Sequence, residues 1–546
     1  MAGFGARDRA GPPGRFGQVS NAHAELRGAD ASGRPARWLA MIRENFPAAL
    51  TAVMLGVGVF VIPFLAYATN VLHVFYVTGS SFYDAGWSAY LIHDADFEIH
   101  NPLFADNGIS WFDQHISPLF ILTSAIGHLV PLTRIQFYAA YIGISHALPG
   151  VAVFWLLVSG YRMTTPMRCG AAAFLALLFS FDGLALAIAQ FPHFTMFIVG
   201  TGMMFLVALV LRHYAIATFF FLLCLATRED AGFHLFALLS LAFLLEWWRG
   251  TPWREQKRIA VFAACAFVYS TAVMAVQHAL AGGHSLLNSE YLGNPPFAHL
   301  TVSLMVARFL GWMVFRHYFI VPAMVAIAWA IVRRNPYIAL GYAAFVPWGL
   351  IHLAAARDLL GILPFYYAYP YMFASFWPLI GLLIEQRHTG RTRSLLEPVG
   401  GFALMTAASF VPSPYQHNPT NINLPADFFS PPSLARQTAT DRALTLLAGA
   451  PQLGTQIVDQ SVLALVPDRY RAGSLLSATP HARPDSVVYF AHGFSLARAR
   501  KAAAEAGLER EYAVPGTSIR VASNRALEGV DGLRERRSST PAARAP

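Results

Sequence analysis

The stretch FYDAGWSAYLI, residues 82–92, sets Asp84 just past a long apolar run, in a part of the chain with no Lys or Arg between Arg43 and Arg134. A carboxylate without a counterion at the lip of a membrane segment is costly to desolvate, so it either faces water or does chemistry. Its chemistry would be to take a proton from a hydroxyl or to hold a divalent cation. His115, in FDQHISPLF, can orient that acid, share a metal with it, or cap at the interface. In LATREDAGFHL, Arg228, Glu229 and Asp230 stand side by side at the end of an apolar run. Three adjacent ionisable groups at that depth are expensive unless they line a polar cavity or pair with one another. The planar fork of Arg228 suits phosphate oxygens, and Arg316 and Arg357 are the next cations in line for that role. Tyr367, in PFYYAYPY, can stack on a sugar or lipid or anchor a helix at the interface. If residues 82–92 are helical, Tyr83 and Trp87 fall on one aromatic face with Tyr90, and Asp84 is turned about 100° away from it.

The elements that must carry these residues are membrane spans. Of 546 residues, 55% are hydrophobic and 13% charged, and the mean hydropathy is +0.45, well outside the soluble globular range. The net charge of +9 comes mostly from Arg in the tails and in short gaps between apolar runs, the pattern that orients a membrane chain. A nucleic-acid partner is set aside on that ground. Cys169, Cys224 and Cys265 lie inside apolar runs without metal or disulfide spacing. No phosphate-cradling glycine loop, zinc spacing or nucleophile elbow occurs, which argues against an ATP-driven pump.

Runs long enough for ~30 Å of hydrocarbon, counted and oriented by their flanking Arg and Lys, predict about eleven crossings. The first covers 47–72 and follows seven arginines, which places the N-terminus in the cytoplasm and residues 73–115 outside. That outer loop holds six acids and, counting His73 at its start, four histidines. The short apolar stretch 116–130 reads as an interfacial or re-entrant helix, the second crossing as 137–160, and the last as 396–410. With this scheme Arg212, Arg249, Arg254, Lys257, Arg258, Arg333, Arg334, Arg387, Arg391 and Arg393 fall on the cytoplasmic side. Arg134, Arg228, Arg308, Arg316 and Arg357 stay outside, where each either binds something anionic, snorkels, or joins an ion pair.

The predicted fold is mainly α, a polytopic helix bundle with interfacial helices in the first outer loop and a small extracytoplasmic α/β domain at the end. Residues 1–37 read as a disordered cytoplasmic tail, 38–411 as the transmembrane domain, 412–526 as the α/β domain and 527–546 as a second disordered tail. The α/β assignment rests on the strand-like TQIVDQSVLALV and DSVVYFAHG and the helical SLARARKAAAEAGLEREY.

In their order, FYDAGWSAYLIHD, FDQHISPLFILTSAIGHLVPL, FPHFTMFIVG and LATREDAGFHL resemble the bacterial membrane family called domain of unknown function 2079, over about residues 45–520. The layout is also similar to the GT-C class of membrane glycosyltransferases. Where that family's histidine loop reads Phe-His-Pro-Glu, this chain has QFPHF, with His193 displaced and no glutamate; its Arg228 stands where lysine is common. The resemblance implies a bacterial inner-membrane enzyme that moves a sugar from a polyprenyl-phosphate carrier to an acceptor hydroxyl of an envelope glycan, lipid or protein. It implies Asp84 and His115 as catalytic residues and, if a divalent cation takes part, as its ligands. Tyr83, Trp87, His193, Arg228, Glu229, Asp230, Arg316, Arg357 and Tyr367 would bind substrate. The alternatives are a transporter or flippase of a lipid-linked intermediate, disfavoured by the lack of visible repeated halves with interrupted helices, and a non-catalytic scaffold.

Overall fold

The computed structural model describes residues 34–78, 83–94, 115–280, 287–363, 365–389, 395–410, 430–459, 462, 465, 483–491, 496–527 and 534–536. Its bundle begins with α1, Arg34–His73, prolonged by a π-helical turn at Val74–Thr78. Two short helices follow, α2 at Tyr83–Asp94 and α3 at Leu119–Leu129. The chain then returns through α4, Arg134–Trp155, started by a capping box in which Thr133 and Gln136 each satisfy the other's backbone N–H. Next come α5, Pro166–Ser180, α6, Gly183–Ala189, α7, Met196–Val210, and α8, Tyr214–Thr227. Helices α9, Ala231–Trp248, and α10, Trp253–Leu280, form an antiparallel pair. The remaining bundle helices are α11, Val302–Phe315, α12, His317–Arg333, α13, Pro336–Ala344, α14, Val346–Leu353, α15, Pro370–Thr389, and α16, Leu396–Ala408.

Among the described residues, six helical segments are long and apolar enough to cross a membrane, or eight if each of two bent helix pairs counts as one span. The hydropathy count of about eleven exceeds this because α7, α8 and α16 have 15, 14 and 13 residues. At 1.5 Å per residue they reach roughly 20–23 Å, short of ~30 Å of hydrocarbon. The bent pairs are α5 with α6, at 44°, and α11 with α12, at 89°. The sequence marks the first break by the turn pair Asp182-Gly183, with Asp182 capping α6 by accepting from the Ala185 N–H, whereas the second, at Arg316, carries no proline or glycine.

Helix α3 has the character expected of an interfacial segment. Leu119, Phe120, Thr123, Ser124 and Gly127 are buried, while Leu122, Ile126 and Leu129 are exposed on its other face. Close packing in the bundle uses small residues where helices cross. A Cβ on Gly232 of α9 would lie 2.3 Å from the Ala266 carbonyl oxygen of α10, so only glycine fits that crossing.

After the bundle come α17, Leu434–Ala448, β1, Gln456–Val458, β2, Ser486–Phe490, α18, Leu496–Glu505, β3, Arg510–Ala513, β4, Ile519–Ser523, and β5, Arg534–Arg536. The sheet order is β1-β2-β4-β3-β5, with β1 parallel to β2 and the other pairs antiparallel. Strand β5 lies within 527–546, the segment that composition marks as a disordered tail, and it is held by pairing with β3. Val487 and Tyr489 pack on Ala499 and Ala503 of α18. The opposite face, with Val488, Phe490, Ile519 and Val521, joins Leu444 and Leu447 of α17 in an apolar cluster that continues to Val71 and Phe75 of the bundle. Polar contacts reinforce this joint. Arg436 donates from Nε to the Tyr76 carbonyl at 3.4 Å, Ser518 donates to the Val77 carbonyl at 2.9 Å, and the Tyr76 hydroxyl donates to Asp441 at 3.2 Å.

Candidate functional site

The segment before α9 and the segment before α3 meet at the end of the bundle where α1 finishes and α4 begins. His115 places Nδ1 2.6 Å from Glu229 Oε1, and the backbone N–H of Ile116 donates to Glu229 Oε2 at 3.1 Å. One carboxylate thus holds both a side chain and the backbone of a segment 114 residues away in sequence. Pro118 then fixes the backbone that starts α3.

Beside this couple, Arg228 forms a bidentate pair with Asp230, its Nε donating to Oδ1 at 2.6 Å and its Nη2 donating to Oδ2. Their side chains are 5% and 18% exposed, so this is an interior pair. The extended backbone of Arg228 ends α8, and Asp230 stands at the start of α9, which turns the two side chains toward each other across a two-residue corner. His234, one turn along α9, lies 3.6 Å from Asp230. Its Nε2 is 2.7 Å from the Tyr369 hydroxyl, which also receives a 3.5 Å contact from Arg228. Burial raises the Asp230 carboxyl, but the adjacent Arg228 guanidinium outweighs it and holds the group well below the usual carboxylate range.

His193 adjoins the same group. Its ring stacks on Tyr366 with centroids 4.4 Å apart and planes at 13°. The Thr195 backbone N–H donates to Nδ1 at 3.3 Å, which makes that nitrogen the acceptor and puts the ring proton on Nε2. Burial, aided by the charges of Arg228 and His115, pushes the imidazole well below its usual range, so it is neutral. Tyr367 packs its ring 4.4 Å from Tyr366 and 5.2 Å from His352.

The cations nominated with Arg228 are differently employed. Arg316, at the sharp corner between α11 and α12, is buried and donates from Nε to the carbonyls of Ile362 at 3.0 Å and Leu363 at 2.9 Å. It therefore acts as a peg for the segment leading to Tyr366 and Tyr367. Arg357 is 57% exposed and pairs with Glu290 at 2.9 Å. The backbone of α2 carries Tyr83, Asp84 and Trp87, but their side chains lie outside the described residues. The assembled residues are thus His115, His193, Arg228, Glu229, Asp230 and Tyr367, with Arg316 in a supporting position and Arg357 at the surface.

Sequence reasoning did not nominate His234, Tyr366 or Tyr369. His234 was detectable as the residue one helical turn after Asp230, and both tyrosines belong to the aromatic run PFYYAYPY. It also missed a polar group at the far end of α9. There buried Glu246 accepts from the Tyr337 and Thr251 hydroxyls and lies 2.9 Å from His388 Nε2. This group joins α9, α13 and α15 and has no counterpart in any local motif.

Chemically, the His115–Glu229 couple is a carboxylate-oriented imidazole, suited to fixing a tautomer and moving a proton. The Arg228–Asp230–His234–Tyr369 chain is a buried cation whose charge is already matched by one carboxylate. No family model matches this chain, and no curated protein does. Among solved structures, the crystal structure of ArnT from Cupriavidus metallidurans bound to undecaprenyl phosphate overlaps 87% of this chain and 98% of its own, at 13% sequence identity and a TM-score of 0.43, a likeness too low to assign a family.

Proposed function

We propose that the protein is a membrane glycosyltransferase of the GT-C kind, using a sugar carried on polyprenyl phosphate. In this reading an acceptor hydroxyl attacks the anomeric carbon, the bond from that carbon to the phosphate oxygen breaks, and the polyprenyl phosphate leaves with the electron pair. The hydroxyl proton passes to a carboxylate, with Asp84 in that role or as a metal ligand. Arg228 meets the charge growing on the leaving phosphate, while Arg316 and Arg357 support that region. Tyr83, Trp87, Tyr367 and His193 form the aromatic surroundings of sugar and lipid. A carboxylate on one imidazole nitrogen is the arrangement that orients a metal-ligating histidine, which supports His115 as a ligand of a divalent cation, with Asp84 proposed as its second ligand. Such an ion would act as a Lewis acid toward the phosphate.

The observation that carries this reading is the largely buried group Arg228, Glu229 and Asp230 joined by the half-buried His115, drawn from separate segments to the bundle end from which α2 and α3 extend. The test is incubation of the purified protein in lipid with a panel of polyprenyl-phosphate sugars, following release of the carrier, for the wild type and for Asp84→Asn. Turnover that Asp84→Asn abolishes, with binding of the lipid retained, is the expected result. No release from any donor, or full activity in Asp84→Asn, overturns the reading.

A transporter of a lipid-linked intermediate is the second reading. It is favoured by the two bent helix pairs, because interrupted helices are where transporters commonly build their substrate sites. Passage of a labelled polyprenyl-phosphate lipid across a vesicle bilayer without cleavage would select it.

A further inference from the structure

We infer that His93, Asp94 and His128 form a binding site for zinc that staples the first interfacial helix to the second, apart from the group around Arg228. Each of the three offers one ligand atom, and these atoms all lie within 4.8 Å of one another. His93 and Asp94 close α2, while His128 is the last residue but one of α3, so the ligands come from two elements. The approach is enabled by Gly127, where an added Cβ would lie 3.1 Å from the His93 ring and 3.4 Å from its carbonyl oxygen. An alanine there would press on the His93 ring, which would have to give by a few tenths of an ångström.

The donor set points to a borderline transition ion, of which zinc is the one proposed. Two imidazoles and a carboxylate with one open position suit zinc, whereas magnesium and calcium demand oxygen ligands. His93 Nδ1 and Asp94 Oδ1 are 2.8 Å apart. In a tetrahedral zinc site with bonds of ~2.0 Å, neighbouring ligand atoms stand about 3.3 Å apart, so both atoms can turn onto one ion with a shift of a few tenths of an ångström. Asp94 uses its other oxygen, Oδ2, to accept from Arg134, the first residue of α4. Arg134 in turn lies over the Tyr90 ring at 5.1 Å. That contact fixes the carboxylate from behind, as partners outside the coordination sphere do at established metal sites. His93 and Asp94 are 14% and 20% exposed, while His128 is at the surface, which gives a hydrated ion a route in. The bound ion would tie the end of α2, the helix that carries Asp84, to α3.

The test uses the full chain, free of any affinity tag, in detergent. Zinc chloride is titrated calorimetrically, and bound zinc is counted by elemental analysis after dialysis. The expected result is that His128→Ala and Asp94→Asn each take up one zinc fewer per chain than the wild type, or bind it at least about tenfold more weakly, while His278→Ala, an exposed histidine at the end of α10, matches the wild type. Because His128 is exposed, its replacement leaves folding intact, and an unaltered size-exclusion profile checks this. Cobalt substitution provides a second reading on the wild type alone: tetrahedral absorption without thiolate charge transfer supports the site. No uptake by the wild type, equal stoichiometry and affinity in His128→Ala, loss of the zinc in His278→Ala, or a thiolate band each overturns it.

Discussion

Glu229 fastens the segment at His115 to the start of α9 by two hydrogen bonds from a single carboxylate, and Glu229→Gln isolates that role. The amide keeps the size and one acceptor oxygen for the Ile116 N–H, and its NH2 meets His115, which can keep a bond only by moving its ring proton from Nδ1 to Nε2. Of the present bonds, at 2.6 and 3.1 Å, both lose the charge of the carboxylate, and the one to His115 also requires that change of tautomer. A hydrogen bond to a charged group contributes about 1.5–3 kcal/mol, and the Glu229 side chain is only 8% exposed, so little solvent screening offsets the loss. Since every ~1.4 kcal/mol is tenfold, local opening at residues 115–117 should rise roughly ten- to a hundredfold. Hydrogen exchange read on a peptide covering Ile116 reports this opening directly, because the Ile116 amide is one of the two groups released. Strand β2, remote from the change, serves as the internal control. Unchanged exchange at Ile116 would refute the assignment, and so would an equal acceleration in β2, which would mean general destabilisation instead of a lost anchor.

Other consequences are measurable. Arg228→Gln should lower stability by about 3–5 kcal/mol because it strands the buried Asp230 carboxylate, and combining it with Asp230→Asn should restore most of the loss in thermal unfolding. Gly232→Ala should cost about 1–3 kcal/mol through overpacking against Ala266 and Ser270, while Gly170→Ala, with open space around its Cβ, should leave the melting temperature level or raise it. Asp441, whose carboxyl burial pushes up to about 6, takes up a proton on docking between its ordinary value of about 3.9 and that value. The joint between α17 and the end of α1 should therefore weaken as pH rises through about 4 to 6 and then level off, a dependence that Asp441→Asn should remove when exchange in α17 is followed against pH.

The apolar character and the α/β ending were legible because they rest on local composition and period. The strands Gln456–Val458 and Ser486–Phe490 fall within the two runs that alternation selects, and Leu496–Glu505 within the helical pattern. The number of full spans was less legible, since hydropathy weighs apolarity and not helix length, and α7, α8 and α16 are apolar but short. In the site, adjacency made Arg228, Glu229 and Asp230 visible, yet the division of labour among them was not. Which carboxylate takes the guanidinium and which takes His115 depends on a corner between two helices, a tertiary fact. The same holds for Arg316, which looks from sequence like a stray cation and instead grips two backbone carbonyls.

The joint at Tyr76 and Val77 bears on how the polypeptide must be completed. A helix leaves its final carbonyls without intrahelical partners, and a nearby residue commonly supplies the missing donor. Here the donors come from Arg436 and Ser518, 360 and 441 positions downstream. The first span thus stays unfinished at its tip until nearly the whole chain has been made. Shortening the protein ahead of α17 would not simply remove an appendage: it would uncap the helix with which the bundle begins.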